Sequence, residues 1–279
     1  MIAAILRIIA ADTIDPYAFY NASFISAYQR QHSATRQACS VWLKNRVHNS
    51  YALEVSRRAD QTVIAESERE ALRINILPLL AASPSRSISL QLANTLRSIV
   101  AHDFPTKWRG LVGEIKRLLT SSNVSELHAG CLATLEAVRA FRYGFHGKNK
   151  PCPIHLFFFQ RFRQKSDILP AIVVDLFPTL VSVATQIVQT PPSSSPEIPT
   201  MLHLILKTYR TSIIINLSDH QQSSESLVPW CQLFFGVVNI RLPKDCVPDD
   251  EDERQKCEWW KAKKWAYANL GRLFHRLGL

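Results

Sequence analysis

Glu258-Trp259-Trp260-Lys261-Ala262-Lys263-Lys264-Trp265-Ala266 puts three of the chain's six tryptophans within seven residues, and such a run needs neighbours to bury it. Wound as a helix, it sets Trp259, Ala262, Ala266, Leu270, Leu273 and Leu277 along one side and Trp260, Tyr267 and Phe274 along a second. A helix that is apolar on two sides needs packing partners on both. That is the demand made by an inner unit of a stacked helical array, where each repeat touches the one before and the one after.

The rest of the chain supports that reading. Of its 279 residues 47% are hydrophobic and only 8 are glycine, and between Ser85 and Arg142 there is a single proline, Pro105. Long helices fit this composition better than strands and tight turns. Helical patterns recur at Ile2 to Ala11, Thr35 to Val47, Glu66 to Ala82, Ser87 to His102, Trp108 to Ser121, Glu126 to Tyr143, Ile168 to Thr190, Pro199 to Leu217, Ser226 to Ile240 and Glu258 to Leu277. Taken in pairs they repeat roughly every 40 to 47 residues, the period of HEAT-type repeats. The expected pairs are 35–47 with 66–82, 87–102 with 108–121, 126–143 with 168–190, and 199–217 with 226–240. An array that opens and closes halfway through a pair is expected to belong to a longer protein.

Asp12 to His32 and Gly144 to Lys165 break the rhythm and read as irregular segments, and Pro191 to Pro199 reads as a surface loop. Ile168 to Val188 is about as long as a membrane span, but Asp175 and Pro178 within it favour a buried helix of the array, without membrane insertion. The six cysteines, Cys39, Cys131, Cys152, Cys231, Cys246 and Cys257, form no C-x-x-C pair and read as reduced thiols. The first apolar run lacks the basic start of a secretory signal, so Asn21, Asn123 and Asn216 carry little weight as glycosylation motifs.

The net charge of +10 invites acidic partners, yet it is neither gathered into a block nor interleaved with aromatic residues as along a single-strand groove. Solvated helix faces account for it, and nucleic acid is disfavoured as a partner. No catalytic signature is present: the chain has no H-E-x-x-H, no P-loop, no G-x-S-x-G and no G-x-G-x-x-G, so no catalytic residue, metal ligand or cofactor is assigned and the chain is not read as an enzyme. His102-Asp103 resembles a base and its orienter, but before Phe104-Pro105 it reads as a polar pair capping or solvating a helix end. The acidic run Asp249 to Glu253 lacks the ligand spacing of a calcium loop and reads as a solvated inter-helix loop.

Four blocks in order carry a resemblance to a known family. They are Arg36-Gln37-Ala38 with Val41-Trp42-Leu43-Lys44-Asn45; Gln91-Leu92 through His102-Asp103-Phe104-Pro105-Thr106-Lys107-Trp108; Ile168-Leu169-Pro170 to Val188; and Trp259-Trp260-Lys261-x-Lys263-Lys264-Trp265-Ala266 with Leu273-Phe274-x-Arg276-Leu277-Gly278. Together they resemble the importin-β (karyopherin-β) superfamily, and the last is similar to its importin seven and eight subgroup. Trp42, Lys44, Asn45, His102, Asp103, Pro105, Trp108, Trp259, Trp260, Lys263, Lys264 and Trp265 are accordingly expected as structural motif residues.

The resemblance implies an all-α fold, an α-solenoid or superhelix of HEAT/armadillo-like repeats. It divides residues 1–279 into an amino-terminal region of about 1–121, with the irregular segment 12–32, and further repeats over 122–279, with the irregular segment 144–165. It implies a nuclear import receptor fragment that binds the small GTPase Ran in its GTP form, carries cargo proteins, touches nucleoporin Phe-Gly repeats, and is found in cytoplasm, nucleus and nuclear envelope. The inner helices would be 2–11, 66–82, 108–121 and 168–190, and their polar positions Glu70, Arg73, Asn75, Arg109, Lys116 and Arg117 are the candidate Ran contacts. The family's opening helix has no counterpart here, and the chain is basic where whole receptors of the family are acidic. A helical interaction scaffold without Ran dependence is the alternative reading.

Overall fold

The computed structural model describes residues 2–10, 22–51, 63–83, 85–142, 167–192 and 197–278, with the side chains of 22–32 and of Asp245 left aside. Among these residues the regular structure is helical throughout. The chain divides into two compact units, Met1–Trp108 and Arg109–Leu279.

The first unit holds α1 (Ile2–Ala10), α2 (Ala22–Ser50), α3 (Glu66–Ala81) and α4 (Arg86–Asp103). Each helix buries one stripe at helical spacing: Ile2, Leu6 and Ile9 in α1, Ser40, Leu43 and Val47 in α2, and Leu92, Leu96, Ile99 and Val100 in α4. Helix α3 has an acidic start, with Glu66 and Glu68 in its first turn where the helix dipole favours them. Ser85 caps α4 by accepting the Ile88 N–H. Helix α1 packs on α2 and α3, and α4 packs on the same two.

The second unit holds α5 (Leu111–Leu119), α6 (Val124–Phe141), α7 (Ile168–Gln189), α8 (Glu197–Ser212), α9 (Asp219–Gln222), α10 (Ser224–Asn239), α11 (Glu251–Arg254) and α12 (Glu258–Leu277). Its long helices form two rows: α5, α7 and α10 in one, α6, α8 and α12 in the other, with α5–α6, α6–α7, α7–α8 and α10–α12 contacts joining them. The core centres on Tyr209, whose ring lies 4.5 Å from Trp230 and 5.1 Å from Phe234, with Phe177 5.6 Å from Trp230. Three helices from both rows therefore meet in one aromatic cluster. Gly130 allows α6 to approach α5, because a Cβ there would stand 3.0 Å from the Leu119 nitrogen and 3.1 Å from Leu118.

Several expectations need correction. Helix α2 begins at Ala22, so the carboxyl-terminal part of the segment read as irregular over 12–32 is helical; the remainder, and 144–165, lie outside the described residues. Two of the expected pairs, 35–47 with 66–82 and 199–217 with 226–240, are not among the main contacts, whereas 126–143 with 168–190 is present as α6–α7, and α1–α2, α3–α4 and α10–α12 join helices that were not expected to pair. Sequence periodicity gives the spacing of helices but not which neighbour each one faces. The acidic run is not a plain loop, because Asp250 accepts the Asp252 N–H at 3.0 Å and starts α11. Helix α8 stops at Ser212 rather than Leu217, and the carbonyls of Ile214 and Ile215 are taken by arginines of α12.

Helix α7 is long and apolar enough to cross a membrane by length and composition. Here Leu169, Ile172, Val173, Leu176, Phe177, Leu180, Val183, Ala184 and Ile187 are buried against neighbouring helices, while Asp175, Pro178, Ser182 and Gln186 lie exposed on the other side. It has the pattern of a one-sided core helix.

Candidate interaction surface

The end of α4 is organised by Asp103, whose side chain is only 2% exposed. Its Oδ2 accepts the Tyr51 hydroxyl and, at 2.7 Å, Nη1 of Arg73. Arg73 Nη2 donates to Glu66 Oε1 at 2.9 Å, and Lys107 Nζ reaches Glu66 Oε2 at 3.1 Å. The Asp103 carbonyl accepts the N–H groups of Lys107 and Trp108 at 2.7 and 3.1 Å, closing the turn through Phe104-Pro105. Beneath it the Arg69 guanidinium lies 5.0 Å over the Tyr51 ring and donates to the Ile64 carbonyl at 2.9 Å.

The electrostatics follow from this geometry. Burial opposes the charge on Arg73, but its bonds to Asp103 and Glu66 outweigh burial and hold its proton more tightly than usual. Burial, reinforced by the Asp103 carboxylate, pushes the Tyr51 phenol up, so it stays a donor. Glu66 titrates below the ordinary carboxylate range: its slight burial works upward, and the bonds from Lys107 and Arg73 prevail. The two residues of His102-Asp103 play different parts. Asp103 is a buried acceptor joining α3, α4 and Tyr51, and His102 is exposed with Nδ1 2.7 Å from the Ser98 carbonyl.

The six candidate contact residues fall into two sets. On α3, Glu70 and Asn75 are exposed, while Arg73 is held by Asp103 and Glu66. In the second unit, Arg109, Lys116 and Arg117 are exposed, and Arg117 stands 3.9 Å from Glu126, too far for a strong pair. Five of the six are thus open to a partner, and Arg73 is engaged within the chain.

The α12 motif residues divide in the same way. Trp259 is buried and Trp260 is 46% exposed, on the second side with Tyr267 and Phe274. Lys263 Nζ donates to the carbonyls of Val238 and Ile240 at 2.9 and 2.6 Å, capping the end of α10. Lys264 is exposed. Trp265 stacks near His203, their ring centroids 6.5 Å apart, and His203 Nδ1 lies 2.7 Å from Glu258, which Lys261 also holds at 2.9 Å. Asn269, fully buried, donates to the Leu206 carbonyl at 3.0 Å. Of the remaining motif residues, Trp108 is buried, Lys44 half-buried, and Trp42, Asn45 and Pro105 are exposed. Trp42 therefore lies on the surface of α2, with Leu43 supplying the core contact. Sequence reasoning passed over Tyr51, Glu66 and Asn269, since none stands in a recognisable motif.

Among the described residues no group of three or more His, Cys, Asp or Glu is placed to hold a metal ion. No protein-family model matches the chain. It is 28% identical to human importin-8 over 247 residues, 87% of the chain and 22% of that protein, and 25% identical to the importin beta-like SAD2 homolog of Arabidopsis thaliana over 245 residues, 88% of the chain and 21% of that protein. The chain is a homologue of importin-8 and its importin-β-like relatives. It spans about a fifth of their length. Its fold is similar to that of the exportin Cse1 in its cargo-free, cytoplasmic state, with a TM-score of 0.67 at 15% identity, covering 99% of the chain and 26% of the exportin. The fold class is therefore an all-α solenoid of HEAT-like repeats, as the sequence implies. Within this homologue of the importins, three of the motif residues join helices: Asp103 at the α3–α4 junction, and Lys263 and Trp265 against α10 and α8.

Proposed function

We propose that the chain is part of a nuclear transport receptor that binds Ran in its GTP form and takes part in protein import. Support comes chiefly from its similarity to importin-8 over 87% of its length. On this reading Glu70 and Asn75 on α3, and Arg109, Lys116 and Arg117 around α5, contact the GTPase, and Arg73 positions α3 rather than touching the partner. Import cargo and nucleoporin Phe-Gly repeats are the further partners, and the protein moves between cytoplasm and nucleus, visiting the nuclear envelope. GTP-state Ran would drive cargo release only through its differential affinity for the two receptor states.

The test is a binding assay on the purified chain with Ran loaded with a non-hydrolysable GTP analogue or with GDP. Preference for the GTP state supports the proposal. Equal binding, or none to either, defeats it and leaves the helical scaffold without Ran dependence.

A further inference from the structure

The carboxyl-terminal ends of α8 and α12 lie side by side, the two helices running parallel: Glu258 at the start of α12 meets His203 midway along α8, Asn269 meets Leu206, and Arg272 near the end of α12 meets Ile214, just beyond α8. Three arginines converge there. Arg272 Nη2 donates to the Ile214 carbonyl at 2.6 Å, and Arg276 reaches the carbonyls of Ile214 and Ile215 and, at 3.4 Å, Asn216 Oδ1. Arg210, in the last turn of α8, makes no hydrogen bond or ion pair among the described residues, and its buried Nη1 has no partner; Nε of Arg272 is likewise buried and unpartnered.

No carboxylate among the described residues lies within 4.0 Å of any of the three guanidiniums; Asp219, exposed nearby, lines the same depression as Arg276 without pairing with it. The two helix ends offer about half a negative charge each. Against three full positive charges, roughly two remain unneutralised. Burial lowers the proton affinity of Arg210, and the like charge of Arg272 lowers it further, as expected for a cation lacking its counter-ion. Carbonyl capping explains Arg272 and Arg276, and Arg210 is the surplus.

We propose that Arg210, Arg272 and Arg276 form a docking site for an acidic segment of a partner protein, whose carboxylates pair with the guanidiniums beside the exposed Ile214. Arg276 and Ile214 are exposed, and Arg210 and Arg272 half-buried, so the cluster opens to solvent. A planar guanidinium fork matches a carboxylate with two parallel bonds. Nucleic acid fits the site less well, because the exposed ring of Phe274 lies about 200° around the helix from both Arg272 and Arg276 and offers no stacking face beside the charges.

The test is fluorescence anisotropy of a fluorescein-labelled octaglutamate peptide on the full chain, compared with a labelled single-stranded RNA of the same length. Binding that weakens with salt, falls at least fivefold in Arg210→Gln and changes less than twofold in Lys256→Gln supports the site. Lys256 is an exposed control at the other end of α12. Because Arg210 makes no hydrogen bond or ion pair among the described residues, Arg210→Gln melts no lower than the parent, and Arg210→Lys retains most of the binding. Equal losses in Arg210→Gln and Lys256→Gln, or tighter binding of RNA that Arg210→Gln abolishes, overturns the proposal.

Discussion

Replacing Asp103 by Ala removes in one step the acceptor shared by Arg73 and Tyr51. The carboxylate is 2% exposed and the Arg73 side chain 12%, so the change leaves a nearly buried cation and a buried hydroxyl without their partner. Breaking such a pair costs about 3–5 kcal/mol. Arg73 keeps its 2.9 Å bond to Glu66, which is 54% exposed and well solvated, so the loss belongs near the low end, about 3 kcal/mol. Native-state hydrogen exchange of the α3 and α4 amides reads this without requiring the whole chain to unfold in one step. At about 1.4 kcal/mol per decade, exchange limited by unfolding of the first unit accelerates roughly a hundredfold. The double replacement Arg73→Met, Asp103→Leu removes both charges and costs less than Asp103→Ala alone. An acceleration in Asp103→Ala below about fivefold, or a double variant exchanging faster than the single, refutes the assignment of Asp103 as the junction's organising acceptor.

Gly130→Ala forces a Cβ against the backbone of α5 and lowers stability by about 1–3 kcal/mol, whereas Gly271→Ala, with nothing within 4 Å, raises it by about 0.5–1 kcal/mol; thermal melting of the two variants should move in opposite directions. Burial holds His203 below its ordinary pKa despite its bond to Glu258, so the unfolded chain takes up that proton first and stability falls as pH drops below about 6.5. Burial would raise Glu258, but Lys261 and His203 hold it below the carboxylate range, so its contribution is lost at still lower pH; His203→Gln should flatten the melting profile between pH 7 and 5. Lys116→Gln with Arg117→Gln should weaken binding of GTP-state Ran at least tenfold with little change in melting temperature, both side chains being exposed. Retained affinity would exclude these two as contacts.

The helices were legible wherever one apolar stripe repeats at 3.6 residues: α1, α4, α7 and α12 lie within about two residues of their expected limits. Helix α2 was legible only in its second half, because the first, Ala22-Ser23-Phe24-Ile25-Ser26-Ala27-Tyr28-Gln29-Arg30-Gln31-His32, mixes small, aromatic and polar residues without one apolar face. The short α9 escaped notice because its signal is a single capping box, Ser218 with Gln221, whose amide also donates to Ser212 at 2.8 Å. Scattered basic residues read as solvated faces are partly internal caps. Lys263, Arg272 and Arg276 bind carbonyls that lie at least 23 positions away in sequence, a link that no local pattern can carry. Of the candidate contacts, exposure was legible for five, and Arg73 was not, since its partner Asp103 comes 30 positions later.

The second side of α12 leaves Trp260, Tyr267 and Phe274 at 46%, 61% and 47% exposure, spaced seven residues apart, with Gly271 forming a notch between the last two. In water this stripe behaves as an adhesive strip about 21 Å long whose grip tightens on warming, because apolar association strengthens with temperature near ambient conditions. The expected consequence is a self-association of the chain that grows with concentration and warming, separate from the unfolding of either unit.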